Sequence, residues 1–292
     1  MLLLDLGLNA LATGIMLGSI YALIAMGLAI TFGNLHVPNV AHPAMVVGGS
    51  YAAVVGNRYG IDPLLAGLLW AAPFYVLGLL VYEFYQRIFE ARGRGGTMQS
   101  LTLFFGLSLI IEVGIVVAFG TDLRSVKAGY VGQSLTLGFV TLPYRFLIPA
   151  LVAPVVVLLL RLYLTHTNTG LAIRAVAYEE RALHISGLDP AAVKRHAFGI
   201  AMALAALAGA ALVVIGPVEP FAGRAQLGRV FAIVVLAGLG TIPGTLIAAI
   251  MIGVAESFVT AFLSPSWAPG VAFAILLATL AVRPNGLFGA LR

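Results

Sequence analysis

The chain has 292 residues, of which 61% are hydrophobic and 9% charged. Soluble domains carry about 25% charged residues, and 16 basic plus 11 acidic side chains cannot cover a globule of this length. That excludes a soluble enzyme, a disordered chain and a nucleic-acid binder. The net charge of +5 fits the excess of cations that membrane proteins keep on their cytoplasmic side.

A helix rises about 1.5 Å per residue and the hydrocarbon core is about 30 Å thick, so a span takes about 20 apolar residues. The start, Met1-Leu2-Leu3-Leu4-Asp5, lacks the basic head of a signal peptide, so the first apolar stretch, Leu6–Phe32, reads as a retained span. Asn39–Gly56 is shorter and rich in Gly and Ala. Pro63–Tyr82 and Met98–Phe119 are full-length, and Phe146–Leu164 follows with Arg161 able to snorkel near its end. Ala197–Gly216 is next. Arg229–Phe262 is too long for one straight span, and Gly240-Thr241-Ile242-Pro243-Gly244 interrupts it. Trp267–Val282 closes the series. The expectation is an all-α integral membrane protein: one polytopic bundle over 1–292, with eight or nine membrane segments and broken or re-entrant helices.

Loop charge sets the orientation. Ten of the 16 cations fall in three places: Arg87, Arg92 and Arg94; Arg161, Arg174, Arg181, Lys194 and Arg195; and Arg283 and Arg292. Placing these in the cytoplasm puts the N-terminus outside and the C-terminus inside. Arg58, Arg124, Lys127, Arg145, Arg224 and Arg229 are then outer residues. This alternation needs Arg229–Phe262 to enter and return, with a first arm, Phe231–Thr241, of only about 17 Å. The largest hydrophilic segment is Leu164–His196. Leu171–Gly187 is helix-compatible and ends on a glycine suited to a C′ position. Asp189-Pro190 reads as an N-cap followed by proline in the first turn. The loop is expected to be ordered, with at least one helix; a solvated connector is the plain alternative.

Two interruptions stand out, Phe32–Pro43 and Gly238–Gly244. Irregular backbone at membrane depth must be buried in protein or line a water-filled cavity. Broken segments in matching halves point to a transport pathway. A tight surface turn explains the first equally well. Asn39, His42, Pro43, Thr241 and Pro243 are therefore candidate pathway residues.

Little chemistry is available otherwise. There is no Cys, which removes disulfides, thiolate metal sites and cysteine nucleophiles. The two lysines precede Ala128 and Arg195, so no phosphate-binding Gly-Lys-Ser/Thr loop exists. Five histidines show no His-Glu-x-x-His spacing, and there is no Gly-x-Ser-x-Gly elbow. No metal or cofactor is expected on this chain. Glu112 and Glu256 lie inside spans, where a carboxylate faces the bundle interior. They are candidates for solute contact or a gate; the plain alternative is an interhelical hydrogen bond, since neither span carries a basic partner. Gly14 and Gly18 form a Gly-x-x-x-Gly packing face.

Five stretches, in order along nearly the whole chain, resemble the branched-chain amino acid ABC importer permeases, the LivH/LivM family. They are Gly18–Leu28; Asn39-Val40-Ala41-His42; Gly170–Ala177 continuing to Gly187-Leu188-Asp189; Gly238–Gly244; and Arg283-Pro284-Asn285-Gly286-Leu287-Phe288-Gly289. Length favours the LivH half. The resemblance implies a bacterial inner-membrane permease working by alternating access. Its partners would be a second, LivM-like permease, two cytoplasmic ABC ATPases that bind ATP and Mg, and an extracytoplasmic solute-binding protein. It also implies that the Leu164–His196 loop holds a coupling helix against an ATPase, with Arg174, Glu179, Glu180, Arg181, Ala182, Gly187 and Asp189 as contacts. Glu180-Arg181-Ala182 stands one residue further from Gly187 than the importer pattern asks. Pro43 replaces the family's usual Gly, which would alter any close approach or positive φ there. Two alternatives remain: a LivH-type permease for urea or short amides, and an ion-driven secondary carrier.

Overall fold

The computed structural model describes residues 2–90 and 97–289. Arg92, Arg94 and Arg292, counted above among the inner cations, lie outside the described residues. Eleven helices and one hairpin make up the described chain. Seven of these helices are long and apolar enough to cross a membrane: α1 (Leu2–Leu28), α3 (Pro63–Tyr85), α4 (Thr97–Phe119), α5 (Tyr144–His166), α8 (Pro190–Ile215), α10 (Ile242–Phe262) and α11 (Ala268–Val282). Two shorter helices lie among them, α2 (His42–Arg58) and α9 (Ala222–Ala237). The total of nine matches the upper count from the sequence.

Burial sorts the helices into two layers. α1, α2 and α8 form the interior, where Ile20, Leu23, Met26, Met45, Phe198 and Ala205 are shut off. α3, α4, α5 and α11 ring them and leave Leu69, Leu80, Ile110, Val117, Leu159 and Leu277 exposed. An outer layer of exposed aliphatic side chains is the surface that acyl chains require.

Small residues let the inner helices touch. Without a hydrophobic drive between helices in lipid, association depends on close packing. The Gly14/Gly18 face meets α10: a Cβ on Gly18 would sit 2.4 Å from Ile250 Cα, and one on Gly253 would sit 2.5 Å from Gly18 N. α2 and α8 approach as closely, for a Cβ on Gly209 would sit 2.1 Å from Val46 O. Ser50 Oγ donates to Gly209 O across that contact at 2.7 Å.

The loops gather at two ends. At one end lies an antiparallel hairpin missed in the sequence, β1 (Ser134–Leu137) paired with β2 (Val140–Pro143). Alternation in Ser134–Thr141 was its only signal. Asn9 clamps it to α1: Nδ2 donates to Phe139 O at 2.8 Å, and Oδ1 accepts from Thr141 N at 2.9 Å. Arg124 bridges to Val218, and Asn57 bonds Lys127, at the same end. At the other end lie two short helices, α6 (Asn168–Val176) and α7 (Glu180–Ile185). The loop expected to hold at least one helix thus holds two. The break at Ala177–Glu179 has no glycine or proline to announce it. Gly187 does close α7 with φ +77°, and Asp189 caps α8 by accepting from Ala191 N and Ala192 N.

Backbone contact this close leaves no room for a methyl group. Gly18→Ala should cost about 1–3 kcal/mol through forced helix separation. Gly106→Ala, with nothing within 4 Å of its Cβ position, should be neutral. Thermal unfolding of the purified protein in detergent checks both.

Candidate functional site

Both interruptions are real breaks, and they meet. After α1 the chain makes a π-helical turn, Ala29–Asn34, then runs irregularly to Ala41. His36 sits at its tip with φ +55° and is exposed, while Leu35, Val37, Pro38 and Asn39 are buried. The chain then turns back inward. α2 begins deep in the bundle, where His42 Nε2 bonds Ile24 O at 2.9 Å. Gly27 at that level faces Ala201 O, near the midpoint of α8. So Leu35–Ala41 is re-entrant, and the reading of this segment as a tight surface turn is set aside. Asn39 Oδ1 and His42 Nδ1 are buried without a hydrogen-bond partner among the described residues.

The second break is Gly238–Thr241, between α9 and α10. Gly238 and Gly240 have φ +88° and +83°, values open to glycine. Gly240 packs on the first break, since a Cβ on Gly33 would sit 2.3 Å from Gly240 N. Breaking a helix orphans its last carbonyls. Here the C-terminal stretch Arg283–Gly289 satisfies two of them: Leu287 N donates to Leu236 O at 2.8 Å and Phe288 N to Ala237 O at 3.2 Å. Thr241 Oγ1 also donates to Ala237 O and Gly238 O. Two motifs 45 residues apart in the chain are thus one structural unit. The first arm, α9, is longer than expected because it starts at Ala222. At about 24 Å it begins below the hairpin end of the bundle.

That start changes the charge assignment. Arg224 and Arg229 lie within α9, so they are helix residues paired with acids of other helices and not loop residues as the sequence reading had them. They also supply the basic partners that the carboxylate spans lack. Arg229 Nε donates to Glu256 Oε1 at 2.8 Å and Nη1 to Gln226 Oε1 at 2.7 Å. Tyr21 OH donates to Glu256 Oε2 at 2.9 Å, and the Arg229 guanidinium lies 4.7 Å from the Tyr21 ring centroid. Arg224 Nε and Nη2 both donate to Glu112 Oε2, at 2.9 and 2.6 Å. An uncompensated charge at bilayer centre costs about 2.5–3.5 kcal/mol on insertion scales, and the two pairings offset this. A signal was present: a helix with two arginines needs two acids, and Glu112 and Glu256 were waiting in other spans.

The remaining candidates divide. Pro43 is buried in the first turn of α2, where its missing N–H is no loss. Its φ is not positive, and Gly223 of α9 packs against it and Ala44. Thr241 is engaged in capping, and Pro243 is exposed in the first turn of α10. Arg174, Glu179 and Glu180 are exposed on the α6–α7 end. Glu180 pairs with Lys194 at 2.5 Å. The side chains of Arg181 and Ala182 lie outside the described residues. Asp189 is a helix cap, as above. The sequence reading missed His196, which joins three spans. Its Nδ1 bonds Tyr75 OH, and its Nε2 bonds Tyr163 OH at 2.7 Å. Tyr163 OH in turn bonds Thr169 of α6 at 2.7 Å. Arg195 beside it donates to Glu83 at 2.6 Å.

The two helix breaks of this multi-pass bundle therefore pack against each other, Gly33 on Gly240. The chain belongs to the family described as "Branched-chain amino acid transport system / permease component", which it matches over residues 10–280. It is 28% identical over 299 residues to the high-affinity branched-chain amino acid transport system permease protein LivH of Escherichia coli K12, covering 97% of this chain and 95% of that one. It is 26% identical over 293 residues to the corresponding protein BraD of Pseudomonas aeruginosa, with the same coverage. A probable LivH permease of Methanocaldococcus jannaschii is 26% identical over 302 residues, covering 99% and 95%. The fold is similar to PsaBC from Streptococcus pneumoniae in complex with Fab, with a TM-score of 0.52 at 11% identity, covering 95% of this chain and 91% of that one.

The Arg229–Glu256 pair should behave as a buried charge pair. Arg229→Met or Glu256→Leu alone should cost about 3–5 kcal/mol, because each leaves its partner uncompensated. The double variant should be more stable than either single one. Thermal unfolding of the four proteins in detergent measures the cycle.

Proposed function

We propose that this permease moves a branched-chain or closely related amino acid into the cytoplasm by alternating access, within an ATP-driven importer. The observation that carries the reading is the contact between the two breaks, Gly33 against Gly240, with Leu35, Val37, Pro38 and Asn39 buried beside it. The helix ends joined there, with Asn39 Oδ1 and His42 Nδ1 unpartnered among the described residues, suit weak contact with a zwitterion. The solute proposed is the one for which the Escherichia coli and Pseudomonas aeruginosa relatives are named.

In this proposal the α6–α7 end is cytoplasmic and the hairpin end faces outward, with the N-terminus outside. The loop cations support that orientation. At the α6–α7 end, Tyr178, Ile185 and Leu188 are exposed apolar residues, Ile185 at 88%. They suit the groove of a cytoplasmic ATPase, which would hold the ATP and Mg that this chain has no loop to bind. The chain from Thr169 through Tyr163 to His196 and Tyr75 would carry a movement of α6 into α5, α8 and α3. At the outer end, Arg58, Asp62, Arg124 and Lys127 line a recess of about 520 Å³, a charged surface for a solute-binding protein. A second, LivM-like permease would complete the pathway.

Co-purification of the tagged chain from native membranes tests this directly. A second permease and two ATPases should elute with it, and a loaded binding protein should stimulate ATP turnover. Ile185→Arg should reduce ATPase recovery about tenfold or more by burying a charge at the docking face. A chain that elutes alone and moves solute under an ion gradient would sink the importer reading.

A further inference from the structure

α9 carries two arginines five residues apart, each paired with a carboxylate from another span, yet their surroundings differ. Arg229 is sealed: its side chain is 16% exposed, Glu256 and Gln226 take its nitrogens, and the Tyr21 ring covers one face. Arg224 is open. Its side chain is 62% exposed, while its partner Glu112 is 3% exposed. Both of its bonds go to one oxygen, Glu112 Oε2, through Nε and Nη2. Nη1 makes no hydrogen bond among the described residues. The guanidinium lies 5.0 Å from the Phe221 ring centroid, and Phe221 is itself partly exposed.

This open guanidinium lies below the hairpin end, in the outer half of the bundle. Gly223 packs on Pro43 and Ala44, the first turn of α2, which starts level with the middle of α8. Glu112 lies about two turns below the outer end of α4. A cation exposed at that depth cannot face acyl chains, so its open side faces water or protein. A guanidinium held from behind by a carboxylate and flanked by an aromatic ring is pre-oriented to bind a second carboxylate.

We propose that Arg224 anchors the α-carboxylate of the transported amino acid, with Glu112 positioning the guanidinium and Phe221 offering an apolar surface beside it. The proposal rests on the amino-acid importer reading above. Arg224 is the specificity-determining contact that tells an amino acid from a neutral amide or a sugar.

The chain contains no cysteine, so Arg224→Cys introduces its only thiol. The test uses the assembled transporter in right-side-out vesicles, with leucine uptake as readout. Arg224→Cys should lower uptake roughly tenfold or more, the size of one lost charge-assisted hydrogen bond. Aminoethyl methanethiosulfonate, which rebuilds a cationic side chain, should restore much of that uptake. The sulfonatoethyl reagent, which adds an anion, should not. Arg224→Lys, which keeps the charge without the planar fork, should transport faster than Arg224→Cys and slower than the unaltered protein. Saturating leucine should slow modification of the thiol. Wild-type uptake by Arg224→Cys overturns the proposal. So does a thiol inert to both reagents in the assembled transporter, because the face is then dry or lipid-covered. Equal restoration by both reagents also overturns it, since bulk rather than charge would then matter. If the unaltered transporter carries no amino acid, the importer reading fails and this proposal fails with it.

Discussion

The structure depends on one requirement of the bilayer: every backbone polar group inside it needs a partner within the protein. A helix that stops at membrane depth violates this unless other chain segments come to its end. α9 stops at Ala237, and its last carbonyls are met by Leu287, Phe288 and the Thr241 hydroxyl. The C-terminal stretch is therefore part of the break, although the whole of α10 and α11 separates them. Gly286 shows how tight the junction is, for its φ is +81° and a Cβ there would sit 2.6 Å from Gly238 N. Since the first break packs on Gly240, the same junction also locates Gly33 and the start of the re-entrant chain.

Burying Leu35–Ala41 needs neighbours that come close, and the glycine stripes supply them. α1 reaches the α10 backbone through Gly14 and Gly18, and α2 reaches α8 through Gly49 and Gly209. The result is a dense inner layer that can hold a 17-residue helix, α2, less apolar than the spans around it. Its polar groups, Ser50 and His42, bond to backbone carbonyls of α8 and α1. The outer layer contributes aliphatic surface and holds no part of either break.

Much of this was legible in the sequence, because lipid leaves few options. The spans were read to within a few residues, apart from α8, which starts at its Asp189 cap, and α9, which starts at Ala222. Both breaks were visible as Gly, Pro and Asn clusters, and Asp189-Pro190 and Gly187 marked their helix ends. What escaped was three-dimensional pairing. Arg224 and Arg229 read as loop residues because a positive-inside count treats every cation near a span boundary as surface. Only the start of α9 at Ala222 moves them into the bundle. His196 was one of five histidines without a motif, and nothing in its own sequence neighbourhood names Tyr75 or Tyr163 as partners. The hairpin escaped because its strands are only four residues each.

The charges that do enter the bundle are few, and α9 gathers them for a geometrical reason. A helix that begins below the surface has no interface for long side chains to snorkel to. Its arginines must then find acids laterally, one on α4 and one on α10. Those two pairings fasten α9 to opposite neighbours, while its far end is fastened by the C-terminal stretch. The short helix is thereby held at both ends by polar contacts and along its middle by Val230, Ile233, Val234 and Leu236, all buried. An element fixed in this way moves as a rigid piece with α10 and the break. A shift of the junction at Gly238–Thr241 would therefore displace the whole helix, and with it the side chain of Arg224.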